Sequence, residues 1–164
     1  MAIEFEDITK EQLEDVAAIF FDCLQIQYKD ILPSSVRENF SQSSSLELWR
    51  KSFQTVPPMK MVGAVTDGQL SGFTKYGPNP DHPECGYLAS LYVSPSFSRR
   101  GIGKALLESA LTDLSQYKFT QLWVFASNLP AVKLYESYGF KETGVEQTEP
   151  EWGALQIQMQ LDNF

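Results

Sequence analysis

One stretch of the sequence, residues 86–125, constrains the fold more than any other because it predicts a strand, a helix and a second strand in succession. Residues 86–93 form a strand-like run that Pro95 ends. Residues 101–117 carry apolar side chains at helical spacing, and residues 119–125 are almost continuously apolar, which is typical of a strand buried on both faces. Such a crossover places its two strands parallel in one sheet, with the helix on one face.

The segments before this unit predict a first strand, a helical region and a β-hairpin. Residues 3–7 are strand-like, and the capping-box spacing of Thr9 and Gln12 predicts a helix over residues 10–28. Asp67-Gly68 is a strong signal for the turn of a hairpin. The other predicted elements are helices over residues 34–40, 45–55 and 128–138 and strands over residues 59–65, 70–76 and 155–161.

These elements define the expected fold class. Their predicted order is β-α-α-α-β-β-β-α-β-α-β, with no internal repeat. We therefore expect one domain over residues 1–164, of the mixed α/β class, with a central sheet that is mostly antiparallel, contains one parallel strand pair and is flanked by helices. A chain of 164 residues is long enough to bury a core without disulfides or metals.

The turn between the predicted strand and the long helix combines basic residues with glycines. Arg99, Arg100 and Lys104 place three positive charges in a protein whose formal net charge is −8. Gly101 and Gly103 open the helix, where unpaired N–H groups and the positive end of the helix dipole favour an anion. This local reversal of charge predicts a phosphate-binding site. The other interpretation is an ordinary solvated basic turn at the start of a helix.

The residues around these glycines do not match two common phosphate-binding motifs. Ser98 stands where a Walker A loop has its first glycine, and Ala105 follows the lysine where that loop has Ser or Thr. Leu106 stands where the dinucleotide-binding fingerprint has its third glycine. The sequence therefore supports neither a P-loop NTPase nor a Rossmann enzyme.

Two stretches of the sequence resemble the motifs of the GNAT superfamily of N-acetyltransferases. The first resembles the acyl-CoA motif Q/R-x-x-G-x-G/A, and Ser98 departs from this motif at its first position. The stretch reads Leu91-Tyr92-Val93-x-Pro95 and then Arg100-Gly101-Ile102-Gly103-x-Ala105-Leu106-Leu107. The second reads Asn128-x-x-Ala131-x-x-x-Tyr135-Glu136-x-x-Gly139-Phe140. The resemblance covers roughly residues 60–145, and the Tyr28 to Pro33 segment with Trp49 also resembles some family members.

The resemblance implies a GNAT-like sheet and transfer of an acetyl group from acetyl-CoA to a primary amine of a small molecule or peptide. The amine attacks directly, so no covalent enzyme intermediate is needed. In the family, a bulge separates the central strand from its parallel neighbour, and pantetheine fills the gap as an inserted pseudo-strand. The residues that the resemblance assigns to acetyl-CoA are Leu91, Tyr92, Val93, Arg99, Arg100, Gly101, Ile102, Gly103, Lys104, Asn128 and Ala131.

Two residues are candidates for proton transfer. By resemblance, Tyr135 protonates the departing thiolate, although its helical spacing alone also fits a core residue. Many relatives place a glutamate on the central strand, but the matching position here is near Tyr87. Glu84 lies just before that position and is the candidate general base. Asn128 has a second interpretation as well, because an asparagine before a helix also caps it.

The composition excludes several classes of protein. The acidic balance leaves no global basic surface for nucleic acid. The start of the chain has no long apolar run, so we expect neither a signal peptide nor contact with a membrane. Cys23 and Cys85 are too few for a disulfide framework and predict packing residues in a cytoplasmic protein. His82 is the single histidine, so we expect no metal site.

The acceptor is less constrained than the donor. Segment 146–151 contains three glutamates, which suit a cationic amine, although a solvated acidic loop is the commoner explanation. Trp49 and Trp152 are candidates to shape the acceptor site. A non-catalytic acyl-CoA-binding regulatory module with the same fold is the alternative to an enzyme. The sequence leaves open the acceptor, the acyl-chain length and the oligomeric state, a homodimer included.

Overall fold

The computed structural model describes residues 2–54 and 59–164, and the strands within these residues form a single sheet. The strands are β1 (Ile3–Asp7), β2 (Lys60–Thr66), β3 (Gln69–Pro78), β4 (Cys85–Val93), β5 (Phe119–Phe125), β6 (Lys141–Gln147) and β7 (Gln156–Asp162). The helices are α1 (Leu13–Asp22), α2 (Ser34–Glu38), α3 (Gln42–Gln54), α4 (Ile102–Leu114) and α5 (Leu129–Ser137).

The sheet has the spatial order β1-β2-β3-β4-β5-β7-β6. Among the described strands, β4 and β5 form the parallel pair, and every other neighbouring pair is antiparallel. The parallel pair is joined by α4, as a strand–helix–strand crossover requires. The predicted fold class, a mostly antiparallel mixed sheet with one parallel pair and flanking helices, is therefore confirmed.

The strand β6 is missing from the predicted order, which is wrong at this point. The side chains of Lys141 to Glu146 are all exposed, so the strand has no buried face and no apolar alternation to reveal it. It lies at the edge of the sheet and pairs with β7 alone. Its pairing is also interrupted between Glu142 and Glu146, around Gly144, whose φ is 92°.

The helix predicted over residues 10–28 is divided into three segments. Lys10–Gln12 is a 3₁₀ turn, α1 follows, and Cys23–Gln27 is a π-helix. The wide turn closes where the Tyr28 N–H donates to the Cys23 carbonyl at 2.9 Å. A periodicity analysis cannot detect this change, because a π-turn shifts the buried face by only one residue. The other helix correction is smaller, since α3 begins at Gln42 rather than at 45, and Thr55 lies outside the described residues.

Two apolar clusters cover opposite faces of the sheet. One joins α1 and α3 to one face and includes Phe20, Trp49, Phe73 and Phe125. The other joins α4 and α5 to the opposite face, through buried residues that include Leu88, Leu107, Leu122 and Met159. Because β5 contributes Leu122 to one cluster and Phe125 to the other, this strand is buried on both sides, as its continuous apolar sequence predicts.

A bulge in β4 changes which side chains share a face. Ser90 pairs with Lys75 and Leu88 pairs with Tyr76, so Ala89 is an extra residue without a partner in β3. Strict alternation would place Leu88 and Leu91 on opposite faces, yet both pack in the cluster beneath α4. The extra residue therefore rotates the second half of β4 and bends the strand.

The start of α4 is seated directly on the sheet at Gly72. A Cβ at this position of β3 would lie 2.8 Å from the Tyr92 carbonyl oxygen and 3.0 Å from Leu106 Cδ1. The first of these atoms belongs to the backbone of β4 and cannot move aside independently of the strand. Glycine at this position therefore allows α4 and β4 to approach β3 closely.

We predict that Gly72→Ala lowers the free energy of unfolding by about 1–3 kcal/mol, because the added methyl group overpacks a backbone contact. Urea unfolding followed by circular dichroism measures the difference. Gly103→Ala is the matched control, since a Cβ there would lie 3.5 Å from Val93 Cγ2, an ordinary contact. A Gly72→Ala protein as stable as the wild type would contradict this account of the packing.

Candidate active site

The sheet opens between β4 and β5. These strands pair in register only from Cys85 opposite Phe119 to Leu88 opposite Leu122. Beyond Leu88 the bulge turns β4 away, whereas β5 continues to pair with β7 as far as Phe125. A cavity of about 760 Å³ occupies the region where the two strands separate. Its size falls in the range of pockets that enclose small organic ligands.

The cavity is lined from both faces of the sheet. On the side of α1 and α3 its walls include Phe20, Tyr28, Trp49 and Trp152. On the side of α4 and α5 its walls include Gly103, Ala131, Leu134 and Tyr135. Residues 87–93 of β4 and 123–125 of β5 lie between these walls. The cavity therefore has walls on both faces of the sheet.

Seven of the candidate residues line this cavity, and the others do not. The lining residues are Leu91, Tyr92, Val93, Gly103, Asn128, Ala131 and Tyr135. Five candidate residues outside the lining lie just before α4 or in its first turn: Arg99, Arg100, Gly101, Ile102 and Lys104. Ile102 is buried in a small cluster with Ala64 and Leu106, which seats the first turn of α4.

The backbone before α4 has a conformation suited to binding an anion. Arg99 has a φ of 62° and Gly101 has a φ of 78°, while φ of the intervening Arg100 is negative. This turn leads directly into the first N–H groups of α4, which lack partners within the helix and favour an anion. Arg99 is one of two non-glycine residues with positive φ in the described part of the chain, and such strain is concentrated at functional sites.

The basic side chains of this turn have modest contacts within the protein. The Arg100 guanidinium lies 5.2 Å from the centroid of the Phe97 ring and 3.8 Å from the carboxylate of Asp67. Both partners of the ion pair are substantially exposed, so the pair stabilises the fold little. The arginine can therefore exchange this partner for a phosphate at small cost.

Tyr135 lies in the wall of the cavity and is 8% exposed. Its ring packs edge-on against Phe140, with centroids 5.8 Å apart. Burial raises the pKa of its phenol above the ordinary value, so the hydroxyl stays protonated at neutral and mildly alkaline pH. A protonated phenol in a cavity wall is able to donate a proton to a ligand. Both predicted roles, packing and proton donation, are compatible with this placement.

Asn128 and Glu84 are placed very differently. The Asn128 carboxamide accepts a hydrogen bond from the Ala131 N–H at 3.4 Å, so it caps α5 while it also lines the cavity. Glu84 is exposed in the turn that precedes β4 and is absent from the cavity lining. Ala89 is five residue steps further along the chain, a distance of roughly 17 Å along the strand. The structure therefore does not bring Glu84 to the cavity.

Several lining residues lie far from both sequence motifs. Phe20, Gln27 and Tyr28 reach the cavity from α1 and the π-helix, and Glu149 reaches it from the connection between β6 and β7. The sequence signals for this wall are the Tyr28 segment and the acidic segment 146–151, together with Trp49 and Trp152, which both line the cavity. Neither signal identifies which side chain of its segment faces the cavity, because that depends on the π-turn and on the turn after β6.

The two cysteines are buried and lie outside the cavity lining. The Cys23 thiol donates to the Val93 carbonyl at 3.1 Å. Burial is the main reason that the pKa of this thiol is raised to about 12. The Cys85 thiol donates to the Gly86 carbonyl at 3.1 Å, and burial raises its pKa as well. Buried thiols that resist ionisation are poor nucleophiles. Cys23 instead helps to fix the end of β4 against the π-helix.

The described parts of the chain are residues 2–54 and 59–164. No group of three or more His, Cys, Asp or Glu side chains in these ranges is arranged to hold a metal ion. No helix within them is long and apolar enough to cross a membrane.

The sequence model of the Acetyltransferase (GNAT) family matches residues 16–140. This match spans well over half of the chain, and the chain therefore belongs to the GNAT acetyltransferase family. The family resemblance of the two motifs is thereby confirmed. The matched region contains α3, α4 and α5 together with β2 to β5, the elements that surround most of the cavity.

Two curated relatives match shorter parts of the chain. The spermine/spermidine N(1)-acetyltransferase of Bacillus subtilis (strain 168) is 29% identical over 93 residues, which cover 52% of this chain and 61% of that protein. The [ribosomal protein bS18]-alanine N-acetyltransferase of Escherichia coli (strain K12) is 40% identical over 62 residues, which cover 37% of this chain and 42% of that protein. The chain thus spans about half the length of these relatives.

Solved structures share the whole fold. The PaiA N-acetyltransferase of Thermoplasma acidophilum, solved in complex with coenzyme A, superimposes with a TM-score of 0.79. The superposition covers 99% of each chain at 21% sequence identity. At this identity the likeness establishes the fold, and the assignment of ligands depends on the residues of the cavity itself.

Proposed function

We propose that this protein is an acetyl-CoA-dependent N-acetyltransferase that transfers an acetyl group to a primary amine by direct attack. The observation that carries the proposal is the opening of the sheet at Ala89, which creates a cavity lined from both faces beside the basic, glycine-containing turn before α4. Family membership supports the reaction type. The two curated relatives are both named for acetylation of amines, in a polyamine and in a protein alanine.

The donor occupies the side of the cavity formed by α4 and α5. The pyrophosphate binds the N–H groups of the turn at residues 99–103, where Arg99, Arg100 and Lys104 supply opposite charge. Pantetheine then lies between β4 and β5 and pairs with the backbone of Leu91 and Val93, much as an added strand pairs with a sheet edge. This arrangement directs the thioester toward the middle of the cavity, near Tyr135.

Transfer requires a neutral amine and a protonated leaving group. An alkylamine has a pKa of about 10, so it must lose a proton before its lone pair attacks the thioester carbonyl. The C–N bond forms as the carbonyl becomes a tetrahedral oxyanion, which a nearby β4 N–H stabilises. The C–S bond then breaks, and Tyr135 donates its phenolic proton to the departing thiolate.

We predict that Gly103→Val weakens acetyl-CoA binding by about tenfold or more, because its γ carbons enter the donor side of the cavity at the turn. Isothermal titration calorimetry measures the dissociation constant. Ser109→Val, on the same helix but outside the cavity lining, is the control for the effect of valine on α4. Wild-type affinity in the Gly103→Val protein would exclude this placement of the cofactor.

We also predict that Tyr135→Phe lowers kcat on the order of 10²-fold or more while acetyl-CoA affinity stays nearly unchanged, because only the acidic hydroxyl is lost. Single-turnover kinetics with a panel of amines give the rate of the chemical step. Tyr138→Phe is the matched control, since the Tyr138 hydroxyl binds Glu108 away from the cavity.

Two results would count against this reaction. A chemical step within about threefold of wild type in Tyr135→Phe would remove the acid role. Acetyl-CoA binding without transfer to any amine of the panel would indicate a non-catalytic acyl-CoA-binding module.

A further inference from the structure

The acceptor side of the cavity has an aromatic wall. Phe20 forms edge-to-face contacts with Trp49, Tyr92 and Trp152, at centroid distances of 5.5, 5.3 and 6.4 Å. Tyr28 contacts Tyr92 at 6.3 Å and Phe125 at 5.7 Å. All of these residues line the cavity. Such a wall favours an apolar group, and its ring faces also attract a cation.

A single charged side chain lines the described part of this cavity, that of Glu149. The remaining lining residues are apolar, aromatic or neutral polar, and they include no aspartate, lysine, arginine or histidine. An ammonium group that enters the cavity therefore meets one carboxylate in the lining, and Glu151 adjoins that carboxylate from outside the lining. No positive side chain in the lining competes for that carboxylate.

Hydrogen bonds hold Glu149 in place. Gln147 Nε2 donates to the Glu149 carboxylate at 3.0 Å and to Gln156 Oε1 at 2.9 Å, and Gln156 is buried at the start of β7. The backbone carbonyl of Glu149 accepts from the N–H groups of Trp152 at 3.0 Å and Gly153 at 2.9 Å. The Trp152 ring anchors this segment, because it stacks on Phe40 with centroids 5.6 Å apart.

The surroundings of Glu149 make it a better base than an ordinary glutamate. Interaction with the neighbouring Glu151 carboxyl is the main cause that raises the pKa of Glu149, and desolvation adds to it. The charge of Glu149 also contributes, after burial, to the raised pKa of Tyr87, which lines the cavity on β4 just before the bulge. Glu149 is therefore close to the strand at which the sheet opens.

From these contacts, and on the basis of the function proposed above, we propose that Glu149 binds the ammonium group of the acceptor and removes its proton. We further infer that the acceptor is a monoamine with an aromatic or aliphatic body. Glu149 thus takes the catalytic role that the sequence assigns to Glu84, from a position in the cavity wall.

The proton balance of the step closes with the groups present. The ammonium gives one proton to the Glu149 carboxylate, and the neutral amine attacks the thioester. After the C–S bond breaks, the thiolate takes the proton of Tyr135, and the second proton of the attacking nitrogen restores the phenol through water. Glu149 releases its proton to solvent, so each turnover yields an amide, a thiol and one proton.

The single carboxylate also limits the class of acceptor. A polyamine carries a positive charge at each nitrogen near neutral pH, and every charge inside a low-dielectric cavity needs a partner. The cavity lining offers one such partner, whereas its aromatic walls offer extensive surface for a neutral body. A monoamine satisfies both features, and an amino acid with a free carboxylate meets repulsion from Glu149.

The acceptor class is tested with four amines: 2-phenylethylamine, hexylamine, spermidine and phenylalanine. For the wild-type protein we expect kcat/KM for 2-phenylethylamine or hexylamine to exceed that for spermidine and for phenylalanine by about tenfold or more. A preference for spermidine or phenylalanine overturns the inferred acceptor class and leaves the proposed acetyltransferase function intact. Acetylation of none of the four amines counts against both proposals.

The role of Glu149 is tested with Glu149→Gln, which keeps the shape of the side chain and its ability to accept from Gln147. We expect kcat/KM for the preferred monoamine to fall about 10²-fold or more while the acetyl-CoA dissociation constant stays within about twofold of wild type. Calorimetry with acetyl-CoA thus reports that the variant is folded.

The matched control is Glu146→Gln, which removes the same charge from an exposed residue of β6 outside the cavity lining. This variant should retain wild-type kcat/KM. An equal loss in both variants would attribute the effect to general electrostatic steering and overturn the role of Glu149. Activity of Glu149→Gln within about threefold of wild type would overturn it as well.

Discussion

The extra residue in β4, Ala89, determines where the sheet opens. Up to Leu88 the strand pairs with β5, and beyond it the backbone turns away while its pairing with β3 continues through Val93. The cavity, its walls on both faces of the sheet and the edge of β4 that is unpaired with β5 beyond Leu88 all depend on this change of direction. Because β5 remains paired with β7, the opening removes only hydrogen bonds between β4 and β5, and β5 stays part of the sheet.

Each side of the opening is built by a different local device. On the donor side, the starts of α4 and α5 follow the carboxyl ends of the parallel strands, so both helix N-termini lie at the same end of the sheet. On the acceptor side, the π-turn after α1 and the turn before β7 bring Tyr28, Glu149 and Trp152 to the wall. The donor side therefore has the dipoles and glycines that phosphates need, and the acceptor side has aromatic surface and one carboxylate.

The elements on the proposed donor side could be predicted from the sequence because their determinants are local. The strand–helix–strand pattern, the paired glycines and the segment from Asn128 to Phe140 each lie in one continuous stretch. The acceptor side depends on features without a periodic signal: the bulge at Ala89, the π-turn, and β6, whose side chains are nearly all exposed. Glu84 is a candidate base because it is close to β4 in the sequence, and the structure places it before the strand rather than beside the opening.

The central claim, that acetyl-CoA binds where β4 and β5 separate, is tested most directly by hydrogen–deuterium exchange with and without acetyl-CoA. If pantetheine pairs with the open edge, amides in residues 89–93 and in the turn at residues 99–103 should exchange about tenfold or more slowly with the ligand bound. Amides of β2, on the far side of β3, should be unchanged and serve as the internal reference. Protection elsewhere, with unchanged exchange over residues 89–93, would contradict the claim.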